Sequence, residues 1–591
     1  MLTDELRERV LRWIADDPDP ATRDELRGLL AQPDSASTEL EDRFAGLLTF
    51  GTAGLRGIIG AGPNRMNRAV VARATWGLAQ AIRSAAPEAT ARLVVVGGDA
   101  RRMSPELSED AAAILAAAGL RVVLFRDPVP TPLIGFAVKH LRASGGVVIT
   151  ASHNPPEYNG YKVYWENAAQ IVPPVDAKIA AAIDDAPPAR DVPRPELAPL
   201  MQRGLVSVAP AELQRAYLDA LRALSVLPPG GDRRLRIVYT PLHGTGDALV
   251  RHALSEAGFA NVTSVREQQA PDGSFPTISF PNPEEPGTMD LAFATATRAG
   301  ADLVLANDPD ADRLAVALPD ATTASGWLQL TGNQLGTLLG HYLLTRGTAT
   351  RPRAVLASIV SSPLLGRIAT SLGVHYEETL TGFKWIANRA MELEREGYEF
   401  VFGYEEALGY CIGGVVRDKD GISAAVIAAE MASSLREHGR SLRDELDLIA
   451  RRWGAHASSQ RSVTRKGATG AAAISGMMDR LRRSPPPRVG DDEVVSVADY
   501  ESLARTDVRR NVASPLNLPR SNVLAFELAS GARIIARPSG TEPKAKFYFD
   551  AREEVRAGEP VSAAESRAYE ALRRLSDAFA RLSEEETGDG T

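Results

Sequence analysis

The sequence predicts an α/β protein of four domains, the first three alike and the fourth a smaller α+β domain. Three observations carry this. The chain has 591 residues, which at roughly 150 residues per domain gives about four. A unit of strand, helix, glycine and strand recurs three times, the mark of βαβ architecture with mixed or parallel sheets. After residue 450 the repeat stops and composition shifts toward Arg, Ser and Pro.

The elements follow in order. MLTDELRERVLRWIADDPDP has helical periodicity and many charges but no apolar core of a signal peptide, so residues 1–49 are read as an N-terminal helical extension. In residues 50–205 the β-branched run RLVVVGGDA (92–100) leads to the helix SPELSEDAAAILAAAG, closed at Gly119, and then to the strand LRVVLF. In 206–325, RLRIVYTPLHG (234–244) precedes the helix GDALVRHALSEAG, closed at Gly258, and the strand NVTSV. In 326–450, RAVLASIV (353–360) precedes SPLLGRIATSLG, closed at Gly373, and the strand VHYEETL. Glycine is the expected stop because it alone takes the left-handed conformation without strain. Residues 451–591 form the fourth domain, with RRSPPPRVGDDE as a loop and GARIIA leading through RPSGTEPK into KFYF as strand, loop and strand.

Bulk properties exclude several functions. Net charge is −8 and the isoelectric point is near 5.7, which argues against nucleic acid or an anionic membrane surface as partner. The single cysteine, Cys411, cannot form an intramolecular disulfide and fits a reducing cytosol, hence a cytoplasmic protein. The longest apolar candidate, AAAILAAAGLRVVLF, is broken by Gly119 and Arg121, so nothing is expected to span a membrane.

After each repeat comes a further apolar strand that ends in a polar loop: GGVVIT before ASHNPP, ADLVLA before NDPDADR, and YEFVFG before YEEALGY. Ligands of open α/β sheets bind outside the carboxyl ends of strands, so each repeat offers one loop to a shared site. DPDADR sets Asp308, Asp310 and Asp312 two residues apart; carboxylates so close repel unless they share a cation, and hard oxygen donors suit Mg²⁺. An EF-hand loop is excluded, because Arg313 and Pro319 stand where it needs glycine and glutamate. RPSGTEPK joins Arg537 and Lys544 through Ser539, Gly540 and Thr541, small residues that expose backbone N–H groups between two cations, as a phosphate requires. GTAGLRG carries Thr52 and Arg56 in a glycine-rich loop of the same kind. Ser152, beside His153 in TASHNPPEYNGYKVYW, reads as an activated nucleophile or as a helix N-cap; it lacks the G-x-S-x-G context of a hydrolase. Glu405 and Glu406 read as a solvated helix start or as acceptors for sugar hydroxyls.

Together these loops resemble the α-D-phosphohexomutase superfamily, the phosphoglucomutases and phosphomannomutases, over roughly residues 45–550, with four motifs in the family's order. The resemblance implies four domains around a central cleft. It implies that Ser152 carries the transferable phosphoryl group and, as phosphoserine, completes a Mg²⁺ site with Asp308, Asp310 and Asp312, one ion per chain. Arg56, Lys162 and Arg313 would line the reacting phosphoryl group, with His153 beside the nucleophile and Lys162 a candidate acid and base. Thr52 would join the substrate contacts, as would Thr381, Gly382 and Lys384 of TLTGFKW and Glu405 and Glu406 of the sugar loop. Arg537, Ser539, Gly540, Thr541 and Lys544 would grip the phosphate that is not reacting.

The implied reaction interconverts hexose 1-phosphate and hexose 6-phosphate, glucose or mannose, through a 1,6-bisphosphate that also serves as activator. The implied partners are small sugar phosphates, in a monomer or homodimer. One departure stands out: Ala407 occupies a position where many glucomutases have serine, and Gly409-Tyr410 replaces the Gly-His of many phosphomannomutases. EEALGY with TLTGFKW and NGYKVYW is similar to the branch that also holds phosphopentomutases and glucose-1,6-bisphosphate synthases. A metal-dependent sugar phosphatase would share the aspartates but has no use for RPSGTEPK. A non-catalytic sugar-phosphate sensor would have no need to keep all four loops.

Overall fold

Uninterrupted runs of valine, leucine and isoleucine bury both faces of a strand, and the central strands here are made of such runs. A computed structural model describes residues 2–51, 54–85, 92–227, 231–465, 470–538 and 544–584. The chain divides into two compact units: Met1–Thr331 with Phe383–Gly403 and Leu408–Glu437, and Gly332–Gly382 with Tyr404–Ala407 and His438–Thr591.

Among the described residues, two sheets lie wholly within the first unit. One is built from β1 (Leu55–Ile58), β2 (Leu93–Gly98), β3 (Arg121–Leu124), β4 (Gly145–Ile149), β5 (Tyr158–Trp165) and β6 (Val206–Val208), in the order β1-β5-β4-β2-β3-β6. β2 runs parallel to β3 and β4, whereas β5 is antiparallel to both β4 and β1. The sheet is therefore mixed, and its antiparallel β4–β5 step returns the chain across the loop that carries Ser152. The helices Arg68–Ala85 and Ser104–Ala117 pack Leu78, Ile82, Leu107 and Leu115 with Val94, Val96 and Val147 into one core. The second sheet is ordered β11-β10-β9-β7-β8, from β7 (Ile237–Thr240), β8 (Val262–Ser264), β9 (Leu303–Ala306), β10 (Ala315–Pro319) and β11 (Trp327–Gln329). β9 is buried along its whole length and delivers the chain directly into Asp308–Asp312.

The predicted helix stops are observed. Gly119, Gly258 and Gly373 have φ of +86°, +92° and +67°. Before the first sheet lie the helices Asp4–Asp16, Pro20–Leu30 and Pro33–Arg43. Leu6, Val10 and Ile14, spaced four apart, meet Leu26, Leu40 and Phe44 in a small core of their own.

In the second unit Arg353–Ser358 and His375–Thr379 pair in parallel across the helix Leu364–Ser371. Its larger sheet is antiparallel, ordered Ala455–Thr464, Lys544–Glu553, Arg533–Pro538, Leu524–Leu528, Asp492–Asp499, Ala504–Asp507 and Val512–Pro515. The helices Gly470–Arg483 and Val561–Glu584 cover it, with Phe579 against Phe526, Phe547 and Phe549. Sequence reading placed a loop over RRSPPPRVGDDE; the structure runs a helix through Arg483 and opens a hairpin between Arg488–Val489 and Asp492–Asp499. Among the described residues no helix is long and apolar enough to cross a membrane.

Candidate active site

The carboxyl ends of β2, β3, β4 and β9 supply the first cluster, all of it within the first unit. After β4 the chain turns at Ser152, whose φ is +52°, a strained value for a residue with a β-carbon. Ser152 sits between two strands rather than at a helix start, which excludes the N-cap reading. Its N–H donates to Thr150 Oγ1 at 2.8 Å, and Thr150 Oγ1 in turn donates to Asp99 Oδ2 at 2.6 Å. The side chain is almost fully buried, 3% exposed, and its Oγ donates to Asp308 Oδ2 at 2.6 Å. His153 Nδ1 lies 3.2 Å from the same oxygen.

Asp308, Asp310 and Asp312 are buried, and one oxygen from each lies within 4.8 Å of the others. Lys162 Nζ, from β5, donates to Asp310 Oδ2 at 2.7 Å and to Asp312 Oδ2 at 3.0 Å. Thr131 Oγ1 donates to Asp310 Oδ2 at 2.8 Å, and Lys419 Nζ stands 3.2 Å from Asp312 Oδ2. Arg313 is looser: its Nε is 4.0 Å from Asp308 Oδ2 and 3.9 Å from Asp312 Oδ1. Arg56 donates to Asn154 Oδ1 at 3.0 Å, on the loop that follows Ser152.

The electrostatics split the three carboxylates. Burial raises the pKa of Asp308 well above the usual carboxylate range, and Asp310 and Asp312 add to the rise. Burial acts on Asp312 in the same sense, but Lys162, Lys419 and Arg313 outweigh it and hold the group ionised. Burial favours a neutral Lys162, yet Asp310 and Asp312 raise its pKa and keep it protonated. Burial, then the cations of Arg313 and Arg56, push His153 well below its usual value, so its imidazole is neutral. Among the described residues, Asp310 Oδ1 and Asp312 Oδ1 are buried without a hydrogen-bond partner. Buried carboxylate oxygens are costly when unpaired, and the three converge as a hard-oxygen donor set. The triad could hold a metal ion.

The second unit holds another group. Glu405 ends the strand Glu399–Glu405, so the helix-start reading of EEALGY does not hold. Its Oε1 accepts the Gly382 N–H at 2.7 Å. Glu406 Oε2 accepts Ser358 Oγ at 3.2 Å, and the Glu406 N–H donates to Ser361 Oγ at 3.1 Å. Thr381 Oγ1 is buried without a hydrogen-bond partner among the described residues. Arg537 and Lys544 stand on neighbouring antiparallel strands, bracketing residues 539–543. Thr52, Ser539, Gly540 and Thr541 lie outside the described residues. Lys384 belongs to the first unit, on the helix Phe383–Arg395. It is 6% exposed, its Nζ is 5.1 Å from the centre of the Trp385 ring, and burial, opposed by Asp176, pulls its pKa down to about 8.

Three residues escaped sequence reasoning. Arg101 donates to the carbonyls of Ser152 at 2.6 Å, Pro155 at 2.8 Å and Tyr158 at 3.1 Å, and so fastens the serine loop. Thr131 and Lys419 complete the surroundings of the aspartates. Arg101 and Thr131 follow β2 and β3, so strand-end position was their signal. Lys419 lies in RDKDG, a cation between two aspartates ahead of the helix Gly421–Glu437.

Four consecutive family models match the chain: phosphoglucomutase/phosphomannomutase alpha/beta/alpha domains I, II and III over residues 47–189, 215–321 and 331–452, and the C-terminal domain over 495–565. A Haemophilus influenzae protein named probable phosphomannomutase is 39% identical over 493 residues, covering 82% of this chain and 93% of its own. The human phosphopentomutase is 35% identical over 570 residues, covering 92% of this chain and 91% of its own. A Staphylococcus epidermidis phosphoglucomutase is 36% identical over 512 residues, covering 87% and 92%. Four domain matches in order, with full-length relatives that are all named mutases, place the chain in the α-D-phosphohexomutase superfamily: it is an enzyme, a mutase of the phosphoglucomutase and phosphomannomutase family.

Proposed function

We propose that the protein interconverts hexose 1-phosphate and hexose 6-phosphate, of glucose or mannose, by way of phospho-Ser152 and a sugar 1,6-bisphosphate. The observation that carries the reading is Ser152 Oγ held 2.6 Å from Asp308 in a buried cluster of three carboxylates. Phosphoryl transfer depends on positioning and on neutralising charge more than on a strong base, and this cluster supplies both. Asp308, Asp310 and Asp312, with an oxygen of phospho-Ser152, would hold Mg²⁺, which when bound withdraws charge from the phosphoryl oxygens.

The side chains have separate tasks. Arg56 and Arg313 would hold the transferring group. The sugar hydroxyl that attacks phospho-Ser152 loses a proton and Ser152 Oγ gains one. In the return transfer a P–O bond to the sugar breaks as the bond to Oγ forms, and both protons move back. Asp308 Oδ2 accepts the Ser152 hydroxyl at 2.6 Å and so fixes Oγ beside the carboxylates. Lys162, protonated while Ser152 carries no phosphate, is placed to return a proton to the sugar oxygen as its P–O bond breaks, and neutral His153 keeps a ring nitrogen against Oγ. Thr381, Gly382, Lys384, Glu405 and Glu406 would recognise the sugar. Arg537, Lys544 and residues 539–541 would hold the distal phosphate, and Thr52 would join the substrate contacts.

A phosphopentomutase or glucose-1,6-bisphosphate synthase is the second reading, favoured by the human phosphopentomutase matching 92% of the chain and by Ala407. Supplying glucose, mannose and ribose 1-phosphates in turn, with Mg²⁺ and a trace of 1,6-bisphosphate, tests both. Faster isomerisation of a hexose phosphate supports the first reading, and a preference for ribose the second. Release of free phosphate without isomer would reject a mutase mechanism.

A further inference from the structure

Within the second unit, one buried cation joins the sugar-loop carboxylates to the strand that carries Arg537. Arg533 opens the strand Arg533–Pro538, and its side chain is 12% exposed. NH1 donates to Glu378 Oε1 at 2.8 Å, and NH2 donates to the Ser361 carbonyl at 2.5 Å and to Asp550 Oδ2 at 3.4 Å. Each of the first two partners leads to a candidate sugar contact. Ser361 Oγ accepts the Glu406 N–H, and Ser358, 2.8 Å from Ser361, donates to the Glu406 carboxylate. Glu378 lies on His375–Thr379, which runs into Thr381 and Gly382, and the Gly382 N–H is held by Glu405. Four residues beyond Arg533, on the same face of the strand and about 13 Å further along it, is Arg537.

We infer that Arg533 is a positioning residue that fixes Glu405 and Glu406 in register with the phosphate-holding strand. The inference rests on the reading of Glu405 and Glu406 as sugar contacts and of Arg537 as a phosphate contact. A guanidinium suits the task because its planar fork bonds a carboxylate and a carbonyl in fixed directions, which an ammonium cannot reproduce.

The test uses Arg533→Lys, Glu378→Gln, which takes the charge out of the same tie from the other side, and Glu406→Gln. Kinetics are measured on the sugar 1-phosphate turned over fastest and on its deoxy analogues, each lacking one ring hydroxyl, with thermal unfolding as a check of folding. Arg533→Lys and Glu378→Gln should each lower kcat about 10-fold or more, with a smaller change in KM. Each should also lower the preference for the intact sugar over its deoxy analogues toward the level of Glu406→Gln. The Arg533→Lys/Glu406→Gln double variant should lose little more than the worse single variant, because both act on one unit. Multiplying losses, or an intact hydroxyl preference in both Arg533→Lys and Glu378→Gln, would overturn the inference while leaving the sugar-loop reading in place. Unchanged kinetics in Glu406→Gln would instead overturn that reading, and the inference with it. If Arg533→Lys fails to fold, Glu378→Gln decides the outcome alone.

Discussion

Ser152 holds an unfavourable backbone conformation, which costs roughly 1–2 kcal/mol for a residue with a β-carbon. Thr150 and the Arg101 guanidinium hold it there. Alanine tolerates the same backbone as well as serine does, so Ser152→Ala should keep the fold and abolish turnover. Intact mass after exposure to a sugar 1,6-bisphosphate should show one added phosphate on the wild type and none on the variant; wild-type activity in the variant would rule out the phosphoserine. Asp310 supplies an orphaned buried oxygen on one side and binds Lys162 and Thr131 on the other. Asp310→Asn keeps an acceptor for those partners but removes a charged ligand, so Mg²⁺ affinity by calorimetry should fall at least about 10-fold. Activity should vanish in chelator and return with Mg²⁺. These residues were legible in the sequence because each lies in a contiguous motif. Lys419 was not, because it reaches the Asp312 carboxylate from more than a hundred residues away, and no local pattern reports that approach.

At the scale of elements, the Asp308–Asp312 loop is shaped by backbone packed against its flanks. Gly421 starts the helix Gly421–Glu437, and a β-carbon there would collide with the Arg313 carbonyl oxygen and lie 2.5 Å from Asn307 Nδ2. Both contacts flank the Asp308–Asp312 loop, so Gly421→Ala must displace it. Gly119 is the contrast: its φ is +86°, yet among the described residues nothing lies within 4 Å of the place a methyl group would take. Gly119→Ala should therefore lower stability by about 1 kcal/mol with Mg²⁺ affinity unchanged, whereas Gly421→Ala should weaken Mg²⁺ binding several-fold. Equal Mg²⁺ affinity in the two variants would show that the close approach does not shape the loop. The repeated strand, helix and glycine were readable because buried parallel strands are apolar on both faces and a left-handed stop selects glycine. The antiparallel returns β5 and β10 needed the structure, since their direction depends on partners distant in sequence.

At the scale of the whole molecule, the fourth domain was least legible. Ala455–Thr464 (AHASSQRSVT) buries Ala455 and Ala457 at one end and then exposes much of its polar remainder, so its sequence carries no apolar run although it pairs with Lys544–Glu553 along its length. One-sided strands of this kind draw their stability from the helices that cover the other face, which no local run of sequence records. That domain nevertheless carries the most demanding part of the proposed cycle. A bisphosphate that donates first one phosphate and then the other must present each in turn to Ser152, and whichever is distal needs a holder. Lys544, with Arg537 across the strand pair, is proposed for that task in both half-reactions. A charge-assisted hydrogen bond contributes about 1.5–3 kcal/mol, so Lys544→Ala should weaken binding of the 1-phosphate and the 6-phosphate by similar factors, roughly 10- to 150-fold. The loosened bisphosphate should also escape more often, leaving Ser152 unphosphorylated, so the variant should need more added 1,6-bisphosphate for half-maximal activity. Activity against bisphosphate concentration, with release of labelled intermediate, measures both effects. A variant that loses affinity for one isomer alone and releases no more intermediate than the wild type would show that the two orientations do not share this grip.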